Sequence, residues 1–325
     1  MRILTFTSLF PNNKQPRHGV FVRERLRHLR LSFPDIEQLV VSPVPWFPSS
    51  SPAFGQYALL ADVVSHELID DIEVLHPRYP VIPKIGMNVA PLLMAARCLP
   101  YMKRLHQGAP FDVIDAHFLY PDGIAAVFIG RALGVPVVVT ARGSDITLYS
   151  QWRLTRTWLR WSLRRATAVA AVCQALADSI TQLVPGLSVN VLRNGVDLQK
   201  FRPMSRDEIR KSLGLAQFTL LSVGNLIELK GHHLIIEALR NMPGVVLLIA
   251  GEGPWRERLQ ALADHLGVAA RVRFLGLVAQ DDLAMYYNAA DALVLASSRE
   301  GWANVLLESV ACGTPVVATA VWGTP

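Results

Sequence analysis

The stretch "FTLLSVGNLIELKGHHLIIEALRNMPGVVLLIAGEG", Phe218–Gly253, contains two short apolar runs separated by an amphipathic segment. The runs "FTLLSVGNL" and "GVVLLIAGEG" consist mainly of aliphatic residues and end in glycine-containing turns, as buried strands do. Between them, "GHHLIIEALRNM" repeats its apolar residues at helical spacing. The stretch therefore predicts a strand, a helix and a second strand, which is the repeating unit of a parallel sheet.

The same alternation continues on both sides of this unit. Downstream, the helical segments "PWRERLQALADHLG" and "DDLAMYYNAA" alternate with the strand-like runs "VRFLGLV" and "DALVLAS". Upstream, the runs "RILTFTSLF", "EQLVVSPV", "DVIDAHF" and "VPVVVTARG" are separated by further helical segments. We therefore predict an α/β protein with two doubly wound domains, 1–200 and 201–325, joined within the polar stretch Arg193–Gly214.

The composition excludes several classes of protein. A chain of 325 residues that is 51% hydrophobic and 18% charged is long and apolar enough for two folded domains and is not disordered. The three cysteines are scattered without disulfide or metal-ligand spacing, which favours a reducing compartment. The N-terminus lacks signal-peptide features, and the most apolar stretch, Ile124–Val139, is too interrupted to cross a membrane. We expect a cytoplasmic protein.

The net charge of +6 is moderate. It suits an anionic small molecule or an acidic membrane face. We do not expect a nucleic-acid partner, because the sequence contains no recognised nucleic-acid-binding motif.

Two glutamates near the end of the chain flank a predicted helix start. In "SREGWANVLLESVACGTPVVAT", Asn304 is an acceptable N-cap, and Gly313 follows a helix predicted over Asn304–Cys312. Glu300 lies in the loop before this helix, and Glu308 leans back toward its start. Free N–H groups at the helix start would bind an anion between the two carboxylates. Taken alone, the pair is equally consistent with two solvated surface glutamates.

Other polar and glycine-rich positions coincide with the same predicted sheet edge. Lys230 comes just after the first strand of the second domain, and Gly251–Gly253 follows the next strand. A single lysine or a single G-x-G is weak evidence, since Lys230 by itself could be a surface residue. Their coincidence at the carboxyl ends of parallel strands is much more specific and predicts a ligand site there.

These motifs are similar to those of the retaining glycosyltransferases of family 4, also called group 1 glycosyltransferases, which have the GT-B fold. The matching segments include "VGNLIELKG", "IAGEGPWRERL", "VLRNGVDLQKFRP" and, in the first domain, "DVIDAHFLYPDGIAA" and "VVVTARGSDI". The family's E-x7-E signature falls on Glu300 and Glu308. The resemblance implies two Rossmann-like domains facing a cleft. Since family members continue with a last strand and helices, it also implies a C-terminally truncated chain.

The resemblance implies a role for each matching residue. Glu308 would hold the ribose of a nucleotide sugar, and Glu300 would contact the transferred sugar and act in catalysis with His117, near the anomeric centre. Lys230 would face the diphosphate. The chain departs from the family pattern at two positions. The family often has arginine where this chain has Asn225, and it commonly has histidine where this chain has Arg142. The implied donor-binding set is Gly19, Asn225, Lys230, Gly253, Leu277, Val278, Glu300, Gly301, Trp302, Ala303, Asn304, Val305 and Glu308; the acceptor-side set is Arg142, Gly143, Ser144 and Asp145.

The implied reaction moves a sugar from a UDP- or GDP-sugar to a lipid-linked or polysaccharide acceptor with retention of configuration. No D-x-D motif of the metal-chelating kind occurs, so we predict metal-independent transfer with no cofactor besides the nucleotide-sugar co-substrate. For His117, a buried structural role is the alternative. For the whole chain, the alternatives are a sugar-nucleotide epimerase of the same architecture and a truncated, inactive nucleotide-sugar-binding module.

The segment "QWRLTRTWLRWSLRRA", Gln151–Ala166, predicts a helix with a basic stripe. Arginines at 153, 156, 160 and 164 recur at spacings of three and four, and three tryptophans lie on other arcs. One interpretation is a surface helix that packs its tryptophans on the sheet. The other is peripheral binding to an anionic membrane, at its inner face, by arginines and interfacial tryptophan.

Overall fold

The computed structural model of the chain describes residues 1–46, 49, 51, 55–81 and 86–325. The chain divides into two compact units, Met1–Arg193 and Asn194–Pro325. Each unit contains one large sheet whose strands mostly alternate with helices along the chain, so the predicted α/β class is confirmed.

Unit 1 contains an eight-stranded sheet with the order β10-β9-β8-β7-β1-β2-β5-β4. Its strands pair in parallel, except that β4 and β5 are antiparallel. Two further strands, β3 and β6, pair with each other. The strands are β1 (Arg2–Phe6), β2 (Glu37–Val41), β3 (Val44–Trp46), β4 (His66–Ile69), β5 (Ile72–Leu75), β6 (Arg78–Pro80), β7 (Val113–His117), β8 (Val137–Ala141), β9 (Ala168–Ala171) and β10 (Asn190–Val191).

The helices of unit 1 bury one face against this sheet. In the first helix, Val22 and Leu26, one turn apart, are buried while the intervening arginines are not. An irregular helical turn, Leu119–Gly123, follows β7. The helices are α1 (Val20–Ser32), α2 (Gln56–Leu60), α3 (Ala90–Gly108), α4 (Ile124–Leu133), α5 (Ser144–Thr147), α6 (Arg153–Leu163) and α7 (Gln174–Leu183).

Unit 2 contains a five-stranded parallel sheet with the order β13-β12-β11-β14-β15. Every residue of β11 and β12 is buried, because separate apolar clusters cover the two faces of the sheet. The strands are β11 (Thr219–Val223), β12 (Val246–Ala250), β13 (Val272–Gly276), β14 (Ala292–Leu295) and β15 (Val316–Ala318), and the helices are α8 (Arg206–Ser212), α9 (His232–Ala238), α10 (Arg256–His265), α11 (Gln280–Ala289) and α12 (Asn304–Ala311).

The strand order places a crevice in each unit. In unit 1, β1 lies between β2 and β7, and in unit 2, β11 lies between β12 and β14. On one side of β1 and of β11 the chain connects to one neighbouring strand, and on the other side to another. The loops at the carboxyl ends of these strands therefore diverge and leave a crevice between them. Polar residues just after β1, β7, β11 and β14 lie at these two switch points.

Two local expectations need correction. The helix α12 begins at Asn304 with Ala303 as its N-cap and no side-chain cap, so Asn304 is a helical residue and not the cap. The sequence interpretation assigned no element to α3, which continues through Pro100 in spite of the lost hydrogen bond. Five of its residues are buried, and this packing outweighs the local penalty. In the described part of the chain, no helix combines the length and hydrophobicity needed to cross a membrane.

Candidate active site

In unit 2, the loops after β11, β12 and β14 are joined by backbone hydrogen bonds. The Leu226 N–H donates to the carbonyl of Glu252 at 2.8 Å, and the Ser298 N–H donates to the carbonyl of Leu229 at 2.9 Å. Gly253, one of the predicted donor-binding residues, allows this approach, since a Cβ there would lie 2.5 Å from the Leu226 carbonyl oxygen. The three loops therefore form one connected edge at the β11–β14 switch point.

Lys230 and Glu300 meet at this edge. Lys230 lies in a 3₁₀ turn after β11, and its Nζ is 2.5 Å from Glu300 Oε1. The buried Ser297 hydroxyl donates to the same oxygen at 2.7 Å. The structure thus brings together the predicted phosphate-facing cation and the predicted sugar-facing carboxylate as an ion pair. Ser297, which the sequence interpretation missed, could have been found only through its place at the end of β14.

The start of α12 follows directly after this pair. The first N–H groups of a helix have no partner within it, and α12 has neither a side-chain cap nor an acidic residue in its first turn. This end of the helix carries partial positive charge. Four predicted donor-binding residues lie just before it or in its first turn: Gly301, Trp302, Ala303 and Val305. The Asn304 side chain instead accepts a hydrogen bond from Asn194 Nδ2 at 3.1 Å. This arrangement can bind an anion such as a diphosphate.

Glu308 is held one turn further along α12. It is 8% exposed, and the buried hydroxyl of Tyr287, on α11, donates to its Oε2 at 2.7 Å. Burial raises the pKa of Glu308, against the opposing effects of the Tyr287 hydrogen bond and the charge of Lys200. The structure therefore fixes the carboxylate through Tyr287, which the sequence analysis had placed only within the predicted helical segment DDLAMYYNAA.

The remaining donor-side residues lie along the same carboxyl edge. Asn225 is exposed just after β11. Leu277, which is 52% exposed, and Val278, which packs on the core, follow β13. The Gly251 N–H donates to the Gly276 carbonyl at 2.8 Å, so these loops adjoin the one after β12. Leu277 therefore presents an exposed apolar side chain at this edge.

In unit 1, Gly19 closes the loop that follows β1. It is the N-cap of α1 and has a left-handed backbone with φ 67°. A Cβ at this position would lie 2.1 Å from the Leu9 carbonyl oxygen, so both conformation and space require glycine. The start of α1 therefore lies against the loop that follows β1.

His117, the last residue of β7, is fully buried between two charged groups. Its Nδ1 is 2.8 Å from Arg142 Nη2, and its Nε2 is 3.3 Å from Asp115 Oδ2. Because a guanidinium only donates, Nδ1 accepts and the ring proton lies on Nε2. Burial lowers the pKa of His117, and the charges of Arg142 and Arg25 add to this effect against the opposing charge of Asp115. In this arrangement His117 supports Arg142, and it can contact a sugar only if the ring moves.

Asp145 anchors the predicted acceptor-side loop. Its buried carboxylate accepts N–H bonds from Leu119 at 2.8 Å, Arg142 at 3.0 Å and Gly143 at 2.7 Å. Burial raises its pKa, although the three amides oppose this rise. Of the four predicted acceptor-side residues, Ser144 is exposed and Arg142 half-buried, so these two can meet a ligand.

Asp122 is a second buried carboxylate that the sequence interpretation missed. Its Oδ2 accepts hydrogen bonds from the Ser8 N–H at 3.0 Å and the Ser8 hydroxyl at 2.8 Å, which ties the loop after β1 to the turn after β7. Its Oδ1 is buried without a hydrogen-bond partner among the described residues. Burial raises the pKa of Asp122 to about 7, with Asp145 adding to the rise.

The comparisons with known proteins agree with this geometry. Residues 205–325 match the family model described as "Glycosyl transferases group 1". Residues 56–200 match the model described as "Glycosyltransferase Family 4". The chain belongs to the group 1 glycosyltransferases.

Relatives of this glycosyltransferase cover it to different extents. The Bacillus subtilis protein named "Putative teichuronic acid biosynthesis glycosyltransferase TuaC" is 29% identical over 99% of this chain and 82% of its own length. The D-inositol 3-phosphate glycosyltransferase of Mycobacterium marinum is 39% identical, over 42% of this chain and 31% of its own. The N-acetyl-alpha-D-glucosaminyl L-malate synthase of Bacillus anthracis is 27% identical, over 69% of this chain and 60% of its own.

Solved structures share the architecture of the glycosyltransferase. HepE from Anabaena, crystallised in complex with UDP, has a TM-score of 0.71 and 22% identity and aligns over 99% of this chain and 82% of its own. Sucrose-phosphate synthase from Thermosynechococcus elongatus has a TM-score of 0.75 and 18% identity, with the same coverage. The predicted GT-B fold is confirmed.

In this glycosyltransferase, α6 is partly packed and partly exposed. Trp161 stacks on Phe128 of α4 with ring centroids 4.1 Å apart, and Trp158 contacts the same ring edge-on at 5.8 Å. At the other end, Trp152 is 41% exposed and Leu154 is 58% exposed. The two tryptophans inside the helix are therefore partly buried against α4, while the start of the helix presents apolar side chains to solvent.

Proposed function

We propose that this glycosyltransferase uses a nucleoside diphosphate sugar as its donor and binds it at the β11–β14 switch point of unit 2. The observation that carries the proposal is the convergence of Lys230, Glu300 and the uncapped start of α12 at one edge. A cation and free amides beside a carboxylate match a diphosphate joined to a hydroxyl-rich sugar. HepE was crystallised with UDP, so uridine nucleotides are the first donors to test.

The proposed chemistry needs no metal ion. The bond between the anomeric carbon and a phosphate oxygen breaks, and a bond from that carbon to the acceptor oxygen forms. Lys230 and the first amides of α12 stabilise the charge that grows on the departing diphosphate. The departing phosphate oxygen takes the proton of the acceptor hydroxyl on the same face, so the anomeric configuration is retained. Glu300 orients the sugar, and Glu308 holds the ribose.

The proposed acceptor is a lipid-linked or saccharide molecule of polysaccharide biosynthesis. Support comes from the similarity to the teichuronic acid biosynthesis glycosyltransferase TuaC, which extends over 99% of this chain and 82% of TuaC.

The donor proposal is tested with a panel of UDP- and GDP-sugars and short oligosaccharide acceptors. We expect free nucleoside diphosphate and an extended acceptor, with activity unchanged in EDTA. Isomerised donor as the only product would instead indicate an epimerase, and binding without turnover would indicate a binding module. Activity lost in EDTA and restored by manganese would contradict the metal-independent step.

We further propose peripheral binding to an anionic membrane through the first turn of α6. The exposed Trp152 and Leu154 flank Arg153, which is also exposed, and this combination suits the headgroup region of a bilayer. Membrane binding would bring the active site to a lipid-linked acceptor.

Flotation with phosphatidylcholine vesicles, with and without phosphatidylglycerol, tests the membrane proposal. We expect binding only to the anionic vesicles and a loss of about tenfold or more when Trp152 and Leu154 are both replaced by alanine, since two apolar anchors are removed. Leu31→Ala serves as the control, because Leu31 is 67% exposed on α1. Equal flotation of the double variant and the wild type would refute the proposal.

A further inference from the structure

We propose that His232 is a positioning residue for Lys230, and that it acts through a hydrogen bond to Ser222. The bond holds the base of residues 224–231, which we call the Lys230 loop and which connect β11 to α9. An effect on turnover rests on the proposed function, in which Lys230 faces the donor diphosphate. An effect on the order of the loop rests only on contacts within unit 2.

His232 and Ser222 lie at the two ends of the Lys230 loop. His232 is the first residue of α9, and Ser222 is the last but one of β11. The ring Nδ1 lies 3.0 Å from the Ser222 hydroxyl oxygen, and the two residues are 1% and 0% exposed. A hydroxyl can donate or accept, so the bond forms with either tautomer of the ring. It therefore closes the loop at its base, away from solvent.

The next contact outward from this bond is made by Lys230 itself. A Cβ on Gly224 would lie 3.4 Å from Lys230 Cδ, so the aliphatic part of the lysine lies across the backbone of Gly224. Gly224 follows Ser222 by two positions, and Lys230 precedes His232 by two. The two contacts are therefore successive links between the same two ends of the loop, and the buried inner link constrains the outer one.

The residue between Lys230 and His232 has little freedom to absorb a shift. Gly231 has a left-handed backbone with φ 68°, and a Cβ there would lie 2.0 Å from the carbonyl oxygen of Ala296, just after β14. The neighbouring Ser298 N–H donates to the Leu229 carbonyl at 2.9 Å. Because the chain here is packed against the end of β14, a displacement of His232 is passed on to Lys230.

His232 acts by position and not as a second charge. Burial lowers its pKa to about 4, and the charge of Lys230 adds to this effect, so the ring is neutral in assays near pH 7. Lys230 Nζ lies 2.5 Å from Glu300 Oε1 at the proposed donor site. A misplacement of about 1 Å in a group that stabilises the transition state can cost roughly a hundredfold in rate. Loss of the buried bond is therefore expected to reduce turnover through Lys230.

Steady-state kinetics of full-chain variants, with the best donor of the UDP- and GDP-sugar panel, test the role in turnover. His232→Phe keeps a ring at this position, Ser222→Ala keeps a small side chain, and each removes the hydrogen bond. We expect each to lower kcat/KM by about tenfold, with partial recovery in His232→Asn, whose amide can replace Nδ1. Ser162→Ala removes another buried hydroxyl, on α6, and is the control, with kcat/KM expected within about twofold of the wild type.

The same substitutions in the Lys230→Met background separate positioning from a general loss of structure. If His232 acts through Lys230, its replacement has nothing further to displace once the cation is gone. We therefore expect His232→Phe combined with Lys230→Met to have the kcat/KM of Lys230→Met alone, within about twofold. A further loss of about tenfold in this background would overturn the proposal.

Amide hydrogen exchange of the full chain, followed by mass spectrometry, tests the loop without any turnover. In His232→Phe and Ser222→Ala we expect faster exchange in peptides that cover the Lys230 loop and unchanged exchange in β12. Wild-type exchange of the loop in both variants would overturn the proposal, even if turnover falls. Faster exchange of the loop in an enzyme that turns over no nucleotide sugar would support the His232 link and refute the proposed function.

Discussion

Replacement of Lys230 by methionine is expected to lower kcat/KM for nucleotide-sugar turnover by about 10²- to 10³-fold. The reason is that, in the proposed mechanism, Lys230 stabilises the charge that grows on the departing diphosphate. Its Nζ lies 2.5 Å from Glu300 Oε1 at the proposed donor site. Methionine keeps the length of the side chain and removes its charge. Steady-state rates with the best donor of the UDP- and GDP-sugar panel provide the measurement, and Lys230→Arg is expected to retain part of the activity.

The loss must be separated from a loss of stability. Without Lys230, the carboxylate of Glu300 is left 9% exposed with no counter-charge, and this costs about 1–3 kcal/mol after allowance for solvent at the lysine. Combining Lys230→Met with Glu300→Gln removes the unpaired charge, so the double variant is expected to regain stability without regaining activity. Lys211→Met, at an exposed position of α8, is the matched control. A folded Lys230→Met enzyme with turnover within threefold of the wild type would contradict the proposed role.

Replacement of Asp122 by asparagine is expected to remove a large part of the pH dependence of stability. An aspartate in the unfolded chain has a pKa of 3.8, whereas burial raises the pKa of Asp122 to about 7 in the folded chain. As pH rises between these two values, the unfolded chain loses a proton that the folded chain keeps. The free energy of unfolding therefore falls by up to roughly 4 kcal/mol from pH 4 to pH 7 and then levels off.

Urea denaturation at pH 4, 6 and 8 measures this effect. Asparagine has the same shape and can still accept from Ser8, so Asp122→Asn is expected to be similar to the wild type at pH 4 and more stable at pH 8. Asp35→Asn, at an exposed position, is expected to leave the pH profile unchanged. A wild-type profile that is parallel to that of Asp122→Asn would show that the pKa of Asp122 is not raised in the folded protein.

Much of the fold could be predicted because its patterns are local. The runs "FTLLSVGNL" and "GVVLLIAGEG" correspond to β11 and β12, and "GHHLIIEALRNM" corresponds to α9 and the turn after it. A strand that is buried on both faces of the sheet needs a continuous run of apolar residues. A helix that is buried on one face needs apolar residues at helical spacing. The α3 helix escaped prediction because Pro100 is a local signal against a helix, while the burial that outweighs it is a tertiary effect.

By itself, the sequence determined the order of the elements and the polar residues that follow the strands, including Lys230, Glu300 and His117. The tertiary structure alone decided the partners of those residues. Lys230 and Glu300 are 70 positions apart, and they meet because β14 pairs directly with β11. Similarly, Asp122 meets Ser8 because β7 pairs with β1. Strand order depends on how whole sheets bury their faces, and no short segment of sequence carries that information.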